Sequence, residues 1–160
     1  MIVTEPSARR LTPGEQALTL GMFGPAIDLD RVQIKRRKFW SFHPCDTTMA
    51  PDGHLWFHPD ADHYCDDFSV ERLQLRGHFL HEMTHVWQAQ RHGRWHLPLR
   101  RHPWCRYDYI LEPGKAFDRY GIEQQAEIVR HAFLLRQGLC IGGKPDCDAY
   151  EQVLPFTRLT

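Results

Sequence analysis

The apolar positions of this chain change period along its length, and the changes mark out its elements. In residues 31–35, Val32 and Ile34 alternate with polar neighbours, residues 38–42 alternate again, and residues 54–58 carry Leu55, Trp56 and Phe57 after a Pro51-Asp52-Gly53 turn. Period two is the spacing of a strand with one buried face, so these segments predict a small sheet of three strands. From about Val70 the period lengthens. Leu75, Phe79, Leu80, Met83, Val86 and Trp87 fall on a helical stripe that stops at Gly93, with Asp67 or Ser69 as its cap. A second stripe over residues 120–137 carries Ile122, Ala126, Val129, Phe133 and Leu134 and stops at Gly138. A shorter helix opens at Thr12-Pro13-Gly14-Glu15, with Thr as N-cap, Pro in first position and Glu closing a capping box, and runs to about residue 24. Residues 1–10 read as an arm or junction, residues 60–67 as an acidic loop, and residues 93–121 as a long irregular connection. The expected class is α+β, one domain over residues 11–160.

Composition narrows the function classes. The 160 residues, 42% hydrophobic and 12% aromatic, suffice for one core. Twenty basic and twenty acidic residues cancel, which removes the global electrostatic case for nucleic-acid binding. Basic clusters at residues 35–38 and 100–102 read first as solvated faces. No stretch has the length of a transmembrane helix, and the N-terminus lacks a Sec signal pattern, so export is expected to take another route. The five cysteines form no CxxC pair, which argues against a finger-type metal site. Cys140 and Cys147 flank a short loop and are candidates for a disulfide in an oxidising compartment.

Candidate chemistry lies in the first long helix, as His81-Glu82-Met83-Thr84-His85. Positions four apart share a helix face, so both imidazoles can reach one metal ion while Glu82 projects toward a water. Eleven histidines make a chance match easier, but the apolar frame makes two histidines and a carboxylate on a buried helix hard to explain without a ligand. Two histidines do not complete a catalytic zinc site, which takes three protein ligands and keeps one position open. Gln88 and Arg91 stand where a metzincin would have Gly and His, and His92 is two turns too far along the axis. Glu123 and Glu127, four apart on the second helix, suit a gluzincin site: Glu123 as metal ligand, Glu127 accepting the free ring N–H of a ligand histidine. Spacing alone leaves the swap of these two roles open, and Asp118 is a minor candidate for the third ligand.

These residues carry a resemblance. Leu11-Thr12-Pro13-Gly14-Glu15, residues 79–88, Tyr107-Asp108-Tyr109 with Pro113-Gly114-Lys115, and residues 123–128 together resemble the metallopeptidase domain at the C-terminus of some VgrG and Rhs proteins of bacterial type VI secretion systems. The resemblance implies a zincin-like fold, one Zn²⁺, and an antibacterial effector toxin made in the cytoplasm and acting in the periplasm of the target cell. It also implies a polypeptide substrate, a cognate immunity protein and secretion spike components as partners. No spike or repeat domain is read in the chain, so an excised toxin domain or a stand-alone cargo is expected. In the expected mechanism His81, His85 and Glu123 hold zinc, Glu82 is the general base, and a donor chosen among Tyr107, Tyr109, Tyr120 and the loop histidines stabilises the oxyanion, with Tyr109 preferred. The alternatives are a non-peptidase zinc hydrolase and an inactive zinc-stapled binding module of a secretion system.

Overall fold

The computed structural model describes residues 7–100 and 106–157. Strand β1 (Ala8–Arg10) is followed by helix α1 (Pro13–Phe23), strands β2 (Gln33–Arg36) and β3 (Leu55–Phe57), then helices α2 (Leu73–His92), α3 (His96–Arg100), α4 (Ile122–Arg136) and α5 (Cys147–Val153). The result is a mixed α+β architecture in which one small sheet and the α2/α4 pair share a core.

The sheet has three strands in the order β1-β2-β3, but one member differs from expectation. β2 pairs antiparallel with β1, Arg9 opposite Ile34, and parallel with β3, Ile34 opposite Leu55. Residues 8–10, expected to belong to an arm, are thus the edge strand, and residues 38–42 form no strand. Both edges of β2 are occupied by β1 and β3, and the outer side of β3 is bridged by Met49 rather than by residues 38–42. They turn instead: Phe39 N–H donates to His43 Nδ1 (3.2 Å), and His43 N–H donates to Trp40 O (3.1 Å).

Local signals account for the helix ends. The capping box on α1 is formed in both directions, with Glu15 N–H donating to Thr12 Oγ1 (3.1 Å) and Thr12 N–H to Glu15 Oε2 (2.9 Å). Gly93 (φ 90°) closes α2 in a conformation that only glycine adopts without strain. Asp67 caps a 3-10 turn at Phe68–Val70 instead of α2, which starts three residues later than expected, at Leu73, without a side-chain cap. Inside the 93–121 connection, α3 and a 3-10 turn at Phe117–Arg119 add short helical pieces.

Stacked rings tie the layers together: Phe57 of β3 on Phe68 (5.5 Å between centroids), and Phe68 on Phe79 of α2 (5.3 Å). Beneath them lies a buried ion pair. Glu15, fully buried, accepts from Arg9 Nη1 (2.8 Å) and Nη2 (2.9 Å) and from Phe68 N–H (3.0 Å), joining β1, α1 and the turn before α2. On the other side α4 lies close against α2 at Gly77, where a Cβ would stand 3.3 Å from Arg130 Cγ and 3.5 Å from Leu134 Cδ2. That close approach comes one turn before His81. Cys140 and Cys147 are thiols, not the disulfide weighed from their spacing, and the Cys147 Sγ faces Glu151 Oε1 (3.8 Å).

Candidate metal centre

α2 presents His81, Glu82, His85 and Gln88 on its buried side, and the first turn of α4 places Glu123 opposite them. Glu123 Oε2 lies 3.1 Å from His85 Nε2 and 3.4 Å from His81 Nε2. His81, His85 and Glu123 form a buried group able to hold a metal ion, their ligand atoms all within 4.8 Å of one another. The helix N-terminus of α4 also favours a carboxylate at this position.

Hydrogen bonds fix which ring atoms face the centre. The carbonyl of Tyr120 can only accept, so Gln125 must turn its Nε2 toward it (2.9 Å) and its Oε1 toward Gln88. Gln88 Nε2 then donates to Gln125 Oε1 (2.9 Å) and to Ile122 O (3.0 Å), which leaves Gln88 Oε1 facing His85 Nδ1 at 2.8 Å. His85 must therefore donate from Nδ1 and turn a bare Nε2 inward. On His81 the same logic runs through Glu127, whose Oε1 accepts from Nδ1 at 2.8 Å. Two imidazole Nε2 atoms and a carboxylate oxygen converge, and with both imidazoles neutral and the carboxyl ionised the set is anionic and has no donor among its facing atoms. Such an arrangement calls for a cation between them, a proton or a metal ion. Burial opposes a proton on His81, but hydrogen bonding to Glu123 and Glu127 and the charge of Glu82 outweigh it and raise the imidazole to about 9. Glu127 moves the other way: burial opposes its charge, yet the His81 bond and the charges of His81, Arg130 and His131 bring it down to about 2.

Glu82 sits at the rim of this group, 3% exposed. Its Oε2 is buried without a hydrogen-bond partner, while Oε1 is 4.0 Å from His78 Nε2. A buried carboxylate oxygen left bare beside three converging acceptors is available to a water or substrate proton. His78 is held in turn by the buried Thr48 hydroxyl (3.0 Å), which also meets His63 Nε2 (2.9 Å).

Not every expected residue comes to the centre. Tyr109 does not: its hydroxyl bonds His131 Nδ1 and Tyr150 Oη (2.7 Å) in a cluster behind Glu127. His131 Nε2 stands 3.5 Å from Glu127 Oε2, so Tyr109 reaches His81 only through two intermediaries. Tyr120 accepts from Glu112 N–H (2.9 Å), away from the centre. Tyr107, half exposed, lays its ring nearly parallel to His81 at 6.3 Å. Asp118 is exposed and pairs with Arg91 (3.3 Å), and His92 stacks on His96 (4.4 Å); neither joins the group. Sequence reasoning passed over Gln88 as a ligand position without seeing its role, although its place three residues after His85 puts it on the same face.

No protein-family model matches the chain. A solved structure, the effector domain of Pseudomonas aeruginosa VgrG2b, superimposes with a TM-score of 0.70 at 36% identity, covering 85% of this chain and 80% of that one. The chain belongs to the VgrG2b effector-domain family. It is also 41% identical over 135 residues, 80% of its length, to the type VI secretion system spike protein VgrG2b of P. aeruginosa. The chain spans 13% of the length of that spike protein. Within the effector-domain family, then, this chain places two imidazoles and a carboxylate around one buried point, flanked by a second, bare carboxylate.

Proposed function

We propose that the chain is a zinc-dependent metallopeptidase of zincin-like fold that serves as a type VI secretion effector and acts in the periplasm of target cells. The observation that carries this reading is the convergence of His81 Nε2, His85 Nε2 and Glu123 Oε2, with Glu82 beside them. The donors fit zinc, since two nitrogen ligands and one carboxylate complete three positions of a tetrahedron and leave the fourth open. Zinc bound there would supply Lewis acidity to a water and to the scissile carbonyl. Glu82 takes the proton from the attacking water and delivers it to the leaving amine, a role suited to its bare Oε2. Gln88 and Glu127 hold the two imidazoles with Nε2 inward. Tyr107 takes the oxyanion-donor role in place of Tyr109, because it is the tyrosine whose ring faces His81. A polypeptide substrate, secretion without a Sec signal, spike components as carrier and a cognate immunity protein belong to the same reading.

Directing the chain to the periplasm of a recipient bacterium tests it. Glu82→Gln should keep the fold and about one bound zinc per chain while growth inhibition falls by roughly two orders of magnitude or more in dose. Full toxicity of Glu82→Gln with zinc in place would overturn the assignment.

A further inference from the structure

The basic cluster that precedes Trp40 has no part in the metal centre. Residues 36–42, Arg-Arg-Lys-Phe-Trp-Ser-Phe, are all exposed, with Trp40 at 56% and Phe42 at 91%. Water-exposed Trp and Phe in adjacent positions are costly unless another surface takes them up. The base of the turn is firmly held. His43, buried, accepts from Phe39 N–H through Nδ1 (3.2 Å) and donates from Nε2 to Thr47 O (2.7 Å), while the Phe39 ring packs edge-on against Trp56 (5.1 Å). Trp56 is itself paired in both directions with Met49, by backbone bonds of 3.0 and 2.7 Å. The fold thus fixes the root of the turn and leaves Trp40 and Phe42 projecting. Basic residues adjoin them in the chain: Arg37 lies 4.9 Å over the Trp56 ring, whose Nε1 donates to Asp52, Lys38 is exposed, and no acidic residue occurs in sequence between Asp30 and Asp46.

We propose that this turn is a membrane anchor, which inserts Trp40 and Phe42 at the headgroup level of an anionic phospholipid bilayer while Arg37 and Lys38 meet its phosphates; Arg36 is turned away, donating to Pro59 O (3.1 Å) and lying over Tyr64. Charge complementarity chooses the partner. Basic residues next to exposed aromatic rings match an anionic interface, where Trp prefers the boundary and each cation near the surface adds attraction. A nucleic acid fits less well, because the chain is neutral overall and the rings stand on a projecting turn, where a bound strand would need a basic groove to track. None of the described helices is long and apolar enough to cross a membrane, so the contact is peripheral. This inference goes beyond the proposed peptidase activity and does not depend on it.

The test is co-sedimentation of the full chain with vesicles of phosphatidylglycerol and phosphatidylcholine (3:7), against pure phosphatidylcholine, at low and high salt. Anionic vesicles should bind the chain, phosphatidylcholine should bind it at least about tenfold more weakly, and high salt should weaken binding. The double variant Trp40→Ser/Phe42→Ser should lower partitioning by about tenfold or more, and Lys38→Glu by a similar factor, with unchanged circular dichroism. These side chains are exposed, so the fold should tolerate both variants. The proposal fails if the parent does not bind anionic vesicles, or if the double variant binds them as well as the parent. It also fails if a single-stranded oligonucleotide is bound more tightly than the vesicles and that binding is what the double variant loses.

Discussion

Replacing Gln88 with leucine tests the central geometric claim, that a chain of amides sets the tautomer of His85. The side chain is 1% exposed, and leucine nearly matches its shape. Three hydrogen bonds go with it: from His85 Nδ1 (2.8 Å), to Gln125 Oε1 (2.9 Å) and to Ile122 O (3.0 Å). The Ile122 carbonyl retains its helical partner, so the buried groups left unsatisfied are His85 Nδ1–H and Gln125 Oε1. At about 1–3 kcal/mol each, less about 1–2 kcal/mol gained from burying an apolar side chain, the metal-free protein should lose about 1–4 kcal/mol. For a chain of this size that lowers Tm by about 2–15 °C. Zinc affinity should fall by about 10–100-fold, because His85 no longer presents Nε2 in one fixed orientation. Melting in chelator gives the first quantity, and competition with a chelating dye gives the second. Gln88→Glu separates the two roles: it keeps an acceptor for His85 Nδ1–H but sets a carboxylate against Ile122 O and Gln125 Oε1, so stability should fall while most of the zinc affinity survives. Zinc binding at parental affinity by Gln88→Leu would refute the claim that Gln88 orients His85.

Three further outcomes follow from the same contacts. Glu15→Ala breaks the buried pair with Arg9 and orphans Phe68 N–H, and denaturant titration should show a loss of about 3–5 kcal/mol; a loss under 1 kcal/mol would mean that this pair does not hold β1 to α1. Tyr109→Phe should cost about 1–2 kcal/mol by removing the bonds to His131 and Tyr150, yet leave zinc affinity nearly unchanged, and a large drop in affinity would return Tyr109 to the centre. Burial, assisted by the charge of Lys35, holds His54 below its ordinary value against the pull of Asp52, so below about pH 6.5 the unfolded chain binds the extra proton. His54 should therefore take stability away as pH drops from 7.5 to 5.5, so the parent should lose more over that range than His54→Gln, and identical slopes of urea midpoint against pH would exclude His54 as a contributor.

Sequence reading worked best where the cause is local. The α1 capping box and the Gly93 stop involve residues within one turn of each other, and a 3.6-residue apolar stripe marks α2 and α4 without reference to the rest of the chain. Strands were read less well, since a strand exists only if an edge is free to receive it. Residues 38–42 alternate as well as residues 31–35 do, but the backbone turns there onto His43, while the short, weakly patterned residues 8–10 become a strand by pairing with β2.

By itself the sequence determined the content of the candidate centre on α2: helical spacing puts His81, Glu82 and His85 on one buried side, and Gln88 one turn on. Only tertiary structure decided what faces them. Gly77 admits α4 against α2, so that Glu123 meets both Nε2 atoms and Glu127 meets Nδ1 of His81. Tyr109, preferred from the sequence as oxyanion donor, turns its hydroxyl to His131 and Tyr150. The physical reason is the range of the interactions. Helical periodicity and caps act between residues a few positions apart, whereas a facing group 38 residues away, as Glu123 is from His85, is chosen by how two helices pack.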